Sequence, residues 1–489
     1  MNFTSLEYAF FLLIVFFLFY ALPQRYQWKL LFFSSIVFYM ISVPQYIFIP
    51  IFIGIVSFSA GILMEKAREL QSKKVILIIS LMANLGILAF FKYVNFLTTS
   101  FFKIFHFIQS YSTHTDTFSG DPILLKLLVP LGISYITFQA VGYTIEIYRG
   151  NHPAEKHFGL FITYLMFFPK LLSGPIERAH HFLPQLREKK VFDYALSSEG
   201  LKLIVWGLVK KLVIADTLAK RTELIFQNPD HYAGAPLIFG AMLFSIQLYA
   251  DFSGYTDIAI GSANVLGFKL MKNFDFPFIA KSTTEFWRRW HISLSSWCFE
   301  YIYNPIAIAK RDWDKWAVVY ASIVTFVLLG LWHGPHWKFV VFGLFEGTIL
   351  SVEFLTRKQR KTLGSVLPEA VNNGMGVVIT FFLFSFASIF FNAANLSEAI
   401  TFIKHLFLFT GHDGRISSLS VAFKGRDIVM AIFWVFFLFA VEYGDRNFDL
   451  KSFFPRQPLL FRWVIYYAAI ILIIMLGVSE QSQFIYFKF

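Results

Sequence analysis

The dominant feature of this sequence is a succession of long apolar runs, most of them close to the length of a membrane-crossing helix. Such a helix needs about 20 apolar residues, with a usable range of roughly 17–25, to span the hydrocarbon core. The runs predict an all-α polytopic integral membrane protein with about 10–12 transmembrane helices, several pieces being too short to cross alone. The runs are Leu6–Leu22, Trp28–Ser42, Tyr46–Met64, Val75–Phe91, Val94–Ile108, Leu124–Ile147, Phe158–Leu172, Leu201–Ile214, Ala235–Ala250, Ala317–Trp332, Phe339–Leu355, Met375–Phe391, Ile428–Val441 and Trp463–Leu476.

The low content of charged residues excludes most other classes of protein. Charged residues make up 15% of the 489 residues and hydrophobic residues 56%, whereas soluble domains carry about 25% charge. An ordinary cytosolic globule is therefore excluded. The one cysteine cannot form an internal disulfide, which excludes a disulfide-rich secreted scaffold.

The formal net charge of +12 does not require a nucleic-acid partner, and we expect none. The basic residues lie mostly between apolar runs, where an excess of positive charge marks cytoplasmic loops. The loops after the first and third predicted spans are therefore expected in the cytoplasm, which places the N-terminus on the extracytoplasmic side. Their basic residues are Arg25, Lys29, Lys66, Arg68, Lys73 and Lys74.

One candidate catalytic residue, His333, follows an apolar run that carries no charge from Ala317 to Trp332. An ionisable group at the end of such a span is a functional candidate by default. Gly334 and Pro335 predict a helix break directly after the histidine, because proline cannot continue a helix. An imidazole at this break suits a general acid or base, since it titrates near neutral pH.

A metal site is disfavoured in the same segment. His333 and His336 form a His-x-x-His pair, but Pro335 interrupts the helix, and no nearby cysteine or carboxylate supplies a third ligand. The sequence also contains no Gly-x-Ser-x-Gly, Gly-x-x-x-x-Gly-Lys or His-Glu-x-x-His motif. We therefore expect neither a bound metal nor a bound cofactor.

A second candidate region, Asp251–Pro305, is the least membrane-like part of the middle of the chain. It opens with two carboxylates, Asp251 and Asp257, which either pair with Lys or Arg in the helix bundle or orient a catalytic imidazole. Farther along, His291 lies in an aromatic cluster next to arginine. Such surroundings would keep the imidazole neutral and available as a base, although single histidines are often structural.

Indole and guanidinium side chains alternate before and after His291. Trp287, Trp290 and Trp297 suit an amphipathic helix at the level of the lipid headgroups, and we favour that interpretation for them. Arg288 and Arg289 fit either an anionic lipid or a phosphorylated substrate, and the sequence leaves both open.

Several motifs together resemble those of the membrane-bound O-acyltransferase family. They occur in order through most of residues 125–350. The motifs are Val129–Tyr135, Phe167–Lys170, Gly174–Arg178, Asp251–Asp257, Asn273–Pro277, Phe286–His291 and Trp332–Gly334. They are most similar to a bacterial branch that contains the membrane subunits of alginate O-acetyltransferase and peptidoglycan O-acetyltransferase and the D-alanyl transfer protein of teichoic acid.

This resemblance implies a fold and a site. The fold would be a ring of tilted transmembrane helices, with short re-entrant and interfacial helices, around a central funnel. One integrated membrane domain would comprise N-terminal helices (1–124), a catalytic core (125–350) and C-terminal helices (351–489). His333 matches the family's invariant histidine and His291 its second conserved polar position, so both are the predicted catalytic residues. The predicted substrate-binding residues are Trp332, Asp251, Ser253, Tyr255, Asp257, Arg288 and Arg289.

The activity implied by the resemblance is acyl transfer to a hydroxyl group. Acetyl-CoA would be the cytoplasmic donor substrate, and the acetyl group would cross the bacterial inner membrane to O-acetylate an extracytoplasmic polysaccharide or peptidoglycan, through a partner on the secreted side. His333 would deprotonate the acceptor hydroxyl, while His291 would orient the acyl carbonyl or relay a proton. The residues expected to hold the donor phosphates are Arg288, Arg289, Lys281, Lys210 and Lys211.

Two other functions remain open. D-alanyl transfer from a carrier-protein thioester to teichoic acid is the alternative within the same family. A transporter or flippase without acyl chemistry is the alternative from another class. Inverted repeats and paired interrupted helices would indicate a transporter, and neither is found in the sequence.

Overall fold

The structure, a computed structural model, describes residues 1–113, 124–125, 127–408, 414–448, 453–477 and 484–485. Across these ranges the regular elements are helices, apart from an isolated β-bridge between Tyr232 and Ile416. The first nine α-helices are α1 (Leu6–Ala21), α2 (Gln24–Ser42), α3 (Phe48–Lys66), α4 (Leu70–Thr113), α5 (Ile133–Tyr148), α6 (Phe158–Met166), α7 (Ala179–Arg187), α8 (Tyr194–Leu208) and α9 (Asp216–Gln227).

The remaining α-helices form the second half of the core and the C-terminal part. They are α10 (Ala235–Val265), α11 (Thr283–Arg289), α12 (Ile292–Cys298), α13 (Asn304–Ala309), α14 (Lys315–His333), α15 (Trp337–Leu355), α16 (Arg357–Gly364), α17 (Glu369–Asn392), α18 (Leu396–Leu406), α19 (Leu419–Ala422), α20 (Gly425–Phe448) and α21 (Leu459–Leu476).

The predicted all-α polytopic membrane architecture is confirmed. Among the described residues, seven helices are long and apolar enough to cross a membrane: α3 with the short turn before it, α4, α10, α14, α17, α20 and α21. α15 and α16, which meet at a bend of 65°, would form an eighth span together, and α1 and α6 are shorter apolar helices. The expected total of about 10–12 spans includes such shorter pieces, and that total stays a prediction.

Two of the predicted apolar runs form a single continuous helix. Val75–Phe91 and Val94–Ile108 both belong to α4, and Lys92 does not interrupt the helix. Lysine is a good helix former, and the Lys92 ammonium binds carbonyl oxygens of another helix. The charge that separates the two runs in the sequence is therefore accommodated within the protein.

The helix α10 is longer than its apolar run suggests. It continues from Ala250 to Val265, so the whole Asp251–Asp257 block is helical. Most of this block is buried, which corrects the view of it as the start of a less membrane-like region. A carboxylate is tolerated in such a place when it is paired, and both are paired here.

Backbones meet closely where α8 packs against α10. A Cβ added at Gly261 would lie 2.5 Å from the carbonyl oxygen of Gly200, and one added at Gly254 would lie 2.8 Å from that of Gly207. The order of the two pairs shows that the helices are antiparallel. After α8 the chain continues as a π-helical segment, Val209–Ala215.

α14 and α15 form an antiparallel hairpin whose turn is residues 334–336. Gly330 lies against the backbone of Phe339, and Gly343 against that of Phe326, with no room for a Cβ at either glycine. α14 ends at His333, as the sequence predicted, and Gly334 is extended. The predicted helix break is therefore confirmed, and it places His333 at the tip of the hairpin.

Candidate active site

His333 is buried in aromatic surroundings at the end of α14. Its ring centroid lies 5.1 Å from that of Trp332, 5.0 Å from that of Phe391 and 6.0 Å from that of Phe342. Such surroundings exclude water, so the imidazole interacts strongly with any polar group that reaches it.

His291 lies between α11 and α12 in the left-handed backbone conformation, with φ 45° and ψ 52°. This conformation costs a residue other than glycine about 1–3 kcal/mol and is retained mainly at functional sites. Nδ1 of His291 is 3.1 Å from Oδ1 of Asn273, which also accepts hydrogen bonds from the backbone N–H and the hydroxyl of Ser293. Because that oxygen is an acceptor, Nδ1 of the neutral imidazole donates and Nε2 carries the lone pair.

Trp332 contacts both imidazoles. Its ring centroid lies 5.8 Å from that of His291 and 5.1 Å from that of His333. It also lies 5.9 Å from Phe138, which stacks on Trp297 with centroids 4.1 Å apart. The structure therefore brings three of the predicted site residues, His291, Trp332 and His333, into one buried cluster.

The two carboxylates of α10 pair with lysines, which is the first of the two alternatives left open by the sequence. Asp251 lies 2.7 Å from Nζ of Lys211 and accepts a hydrogen bond from the backbone N–H of Ile485 at 2.9 Å. Asp257 pairs with Lys210. A role for either carboxylate in substrate binding stays a prediction.

Between these carboxylates, α10 presents aromatic and hydroxyl groups to the interior. The ring of Phe252 lies 4.8 Å from that of His291, edge to face. Ser253 and Tyr255 are buried, and the Tyr255 hydroxyl donates to Oδ1 of Asn2 at 2.6 Å. Phe484 stacks on Tyr255 with ring centroids 4.2 Å apart. These contacts do not test whether Ser253 and Tyr255 bind substrate, and both roles stay predictions.

The two arginines before His291 differ in environment. Arg288 is exposed, whereas Arg289 pairs with Glu285 at 2.9 Å and with Asp275 at 3.1 Å. Partial burial would raise the pKa of Asp275, but Lys272 and Arg289 lower it below its usual value. Arg288 is therefore the more accessible of the two for an anionic group.

The lysines expected to hold the donor phosphates also differ. Lys281 is exposed, but Lys210 and Lys211 are buried and bind carboxylates. Lys211 contacts Asp216 at 2.8 Å in addition to the aspartate of α10 described above. These pairs give Lys210 and Lys211 a structural role in the helix bundle.

The three tryptophans around His291 do not face lipid headgroups, so that prediction is wrong. Trp287, Trp290 and Trp297 are 6%, 3% and 4% exposed. The indole N–H of Trp287 donates to the buried carboxylate of Glu346 at 2.9 Å, and that of Trp297 donates to a backbone carbonyl at 3.0 Å. Internal acceptors replace the water that an interfacial indole would use.

A cavity of about 210 Å³ lies beside the aromatic cluster. Phe138 and Gln139 line its buried part, and Phe138 contacts Trp332. His180 and Arg187, which are exposed, line the cavity as well. The cavity therefore extends from surface residues to within one aromatic ring of Trp332.

His180, which lines this cavity, and its neighbour His181 differ in basicity. His180 stacks on His152 with ring centroids 4.4 Å apart, and burial, followed by the effect of His152, lowers the pKa of His180. The carboxylate of Glu177, 2.8 Å from Nδ1 of His181, raises the pKa of His181. The pKa values of the two adjacent imidazoles are thus shifted in opposite directions.

Three residues that shape the site have no role predicted from the sequence. Asn273 orients His291, Phe252 packs against it, and Phe138 connects the cavity with Trp332. Asn273 lies 18 residues before His291, and no local spacing rule links an amide to an imidazole at that separation.

The matches to known proteins agree with the resemblance of the sequence motifs. The model of the membrane-bound O-acyltransferase (MBOAT) family matches residues 78–394. The chain is 31% identical to the "Probable alginate O-acetylase AlgI" of Azotobacter vinelandii, covering 92% of this chain and 86% of that protein. It is 28% identical to the peptidoglycan O-acetyltransferase of Helicobacter pylori, covering 90% and 88%. It is 30% identical to the teichoic acid D-alanyltransferase of Streptococcus thermophilus, covering 54% and 68%.

Proposed function

Because the chain belongs to the membrane-bound O-acyltransferase family, we propose that it moves acetyl groups from cytoplasmic acetyl-CoA across the inner membrane to O-acetylate an extracytoplasmic polysaccharide or peptidoglycan. The observation that carries this proposal is the contact of two imidazoles, His291 and His333, with one buried indole, Trp332. Family membership makes the chain an O-acyltransferase, so a transporter without acyl chemistry is not supported.

His333 acts as the general base. Its imidazole takes the proton of an acceptor hydroxyl while the hydroxyl oxygen attacks the thioester carbonyl. The carbon–sulfur bond then breaks, and the leaving CoA thiolate takes up the proton that His333 received, which restores the neutral imidazole. A well-placed base contributes about 10²–10⁴-fold to the rate, which is why the fixed position of His333 at the helix end matters.

His291 relays a proton rather than orienting the acyl carbonyl. Asn273 accepts the hydrogen bond from Nδ1, so Nε2 of His291 is the acceptor nitrogen of the neutral ring. Nε2 has no hydrogen-bond partner among the residues that the structure describes. A lone pair suits proton uptake, whereas a carbonyl oxygen would need a donor. The geometry thus favours one of the two roles expected from the sequence.

The cavity is the proposed path of the thioester donor. Glu155 lines it, and the adjacent Lys156 pairs with Glu65 near the end of α3. The loop after α3 is basic and expected in the cytoplasm. A donor that enters here approaches Trp332 past Phe138, toward the contact distance of about 3–3.5 Å that reaction requires.

The position of His333 along α14 supports an acceptor from the other face. Basic residues precede α14, which begins at Lys315. At 1.5 Å per residue, His333 lies about 27 Å along the helix from that end, close to the thickness of the hydrocarbon core. The acetyl group therefore needs an acceptor far from the basic side, and we expect a partner protein on the secreted side to receive it.

The assignment of an acetyl donor and a glycan acceptor is based on the proteins that are similar to this chain. Proteins named as alginate O-acetylase and peptidoglycan O-acetyltransferase are similar to nearly the whole chain. The D-alanyltransferase relative covers about half of it and supports the alternative, D-alanyl transfer from a carrier-protein thioester to teichoic acid. We also propose that the N-terminus lies on the extracytoplasmic side.

The test is acetyl transfer from labelled acetyl-CoA in membranes of cells that make the full chain, the expected secreted-side partner and the acceptor glycan. We expect His333→Gln to lower the rate about 10²-fold or more, because glutamine cannot accept the proton. His336→Gln is the matched control, since this exposed histidine lies three residues away, in the turn that follows α14, and it should transfer at the wild-type rate.

Two results would contradict the proposal. Full acetyl transfer by His333→Gln would remove the base from the mechanism. Label transfer by the wild-type protein from a D-alanyl carrier-protein thioester, but not from acetyl-CoA, would establish the alternative donor.

A further inference from the structure

Three carbonyl groups at the end of α14 receive hydrogen bonds from the middle of α4. Nζ of Lys92 donates to the carbonyl oxygen of Trp332 and, at 3.3 Å, to that of His333. The hydroxyl of Tyr93 donates to the carbonyl oxygen of Leu331 at 2.7 Å. These are three of the four terminal carbonyls that an α-helix leaves without partners of its own.

The Lys92 ammonium also contacts the central indole of the site. It lies 5.7 Å from the ring centroid of Trp332, the residue that touches both imidazoles. A positive charge at this point is favourable for α14, because the C-terminal end of a helix carries partial negative charge.

We propose that Lys92 is a positioning residue that fixes the last turn of α14 and thereby the imidazole of His333. This inference rests on the proposed function. Gly334 and Pro335 prevent α14 from continuing, so no further turn of the helix restrains His333. Lys92 supplies that restraint from another helix. Without it the last turn frays, and a displacement of the base by about 1 Å costs about 10²-fold in rate.

The test compares three variants of the full chain in the same membranes, with labelled acetyl-CoA and the acceptor glycan. Lys92→Met keeps the apolar stem but removes the charge and the donors, so kcat should fall about 10–100-fold while KM for the donor stays at its wild-type value. Lys92→Arg keeps a cation with several donors and should recover most of kcat. Lys103→Met, which changes an exposed lysine of the same helix, should have wild-type kcat.

Combining the Lys92 and His333 variants distinguishes a positioning role of Lys92 from a general contribution to stability. If Lys92 acts through His333, adding Lys92→Met to His333→Gln lowers the residual rate no further. Thermal unfolding is measured on each variant, and Lys92→Gln replaces Lys92→Met if the latter does not fold.

Three results would contradict the positioning role of Lys92. A wild-type kcat per folded molecule in Lys92→Met, or a change in KM alone, would overturn the positioning role and leave the proposed function intact. An additional loss in the double variant would also overturn it. Full transfer by His333→Gln would overturn both.

Discussion

Asn273 shows how a single side-chain oxygen can define the chemistry of a histidine. It receives the Nδ1–H of His291, the backbone N–H of Ser293 and the Ser293 hydroxyl. The backbone carbonyl of Asn273 accepts a further hydrogen bond from Ile292 at 2.8 Å. Together these bonds hold His291 in its left-handed conformation and select the tautomer with a lone pair on Nε2.

Removing this oxygen should impair both activity and stability. In Asn273→Ala the buried N–H of Ser293 loses its acceptor, at a cost of about 1–3 kcal/mol in the free energy of unfolding. The loss of tautomer control at His291 should lower kcat by about tenfold or more. Asn273→Asp keeps an acceptor oxygen and should retain more activity. Acetyl transfer and thermal unfolding measure the two effects, and wild-type kcat in Asn273→Ala would show that His291 needs no such orientation.

At the scale of elements, the pairing of α8 with α10 explains why glycine and aspartate occur together in the Asp251–Asp257 block. Gly254 allows the two backbones to touch. The π-helical segment that follows α8 then carries Lys210 and Lys211 against the carboxylates of α10. Small residues permit this close approach of membrane helices, and the approach brings the charges within bonding distance.

A single methyl group at this contact should destabilise the fold. In Gly261→Ala the new Cβ meets the carbonyl oxygen of Gly200 at 2.5 Å, and overpacking of this kind costs about 1–3 kcal/mol in the free energy of unfolding. Gly86→Ala is the control, because nothing lies within 4 Å of a Cβ there, and it should be neutral or stabilising. Thermal unfolding in detergent compares them, and equal unfolding temperatures would contradict the packing described.

At the scale of the whole molecule, the distribution of basic residues predicts which helix ends face the cytoplasm. α3 ends at Lys66 and α15 leads into the basic helix α16, and both basic ends are expected in the cytoplasm. The single cysteine, Cys298, is buried. The natural chain is therefore a suitable background for cysteine labelling.

The predicted orientation can be tested with an impermeant thiol reagent. Lys74→Cys and Lys361→Cys should react in inside-out vesicles only, and Glu7→Cys in right-side-out vesicles only, because all three positions are exposed. The wild-type protein, with Cys298 buried, should remain unlabelled in both. The opposite pattern would reverse the orientation and with it the proposed side of donor binding.

Local signals in the sequence predicted most of the helices and the two histidines of the site, but not the contacts that surround them. Apolar length predicted the membrane architecture, and Gly334 with Pro335 predicted the end of α14, because both depend on neighbouring residues. The burial of Trp287 depends on Glu346, 59 residues away. The continuity of α4 through Lys92 depends on carbonyls 240 residues away. Contacts at such separations leave no periodic pattern in the sequence.

The α14–α15 hairpin implies an order of assembly. The start of α14 and the end of α15 lie together, and the turn, residues 334–336, lies at the opposite end of the hairpin with the side chains of its tip. One of these, Lys338, donates to the carbonyl oxygens of Phe391 at 3.2 Å and Ala393 at 2.6 Å, which become available only when the end of α17 arrives. Ribosomal synthesis reaches that end well after His333, so a chain truncated before it would carry both histidines and still lack the acceptors of Lys338 and the ring of Phe391 that packs against His333.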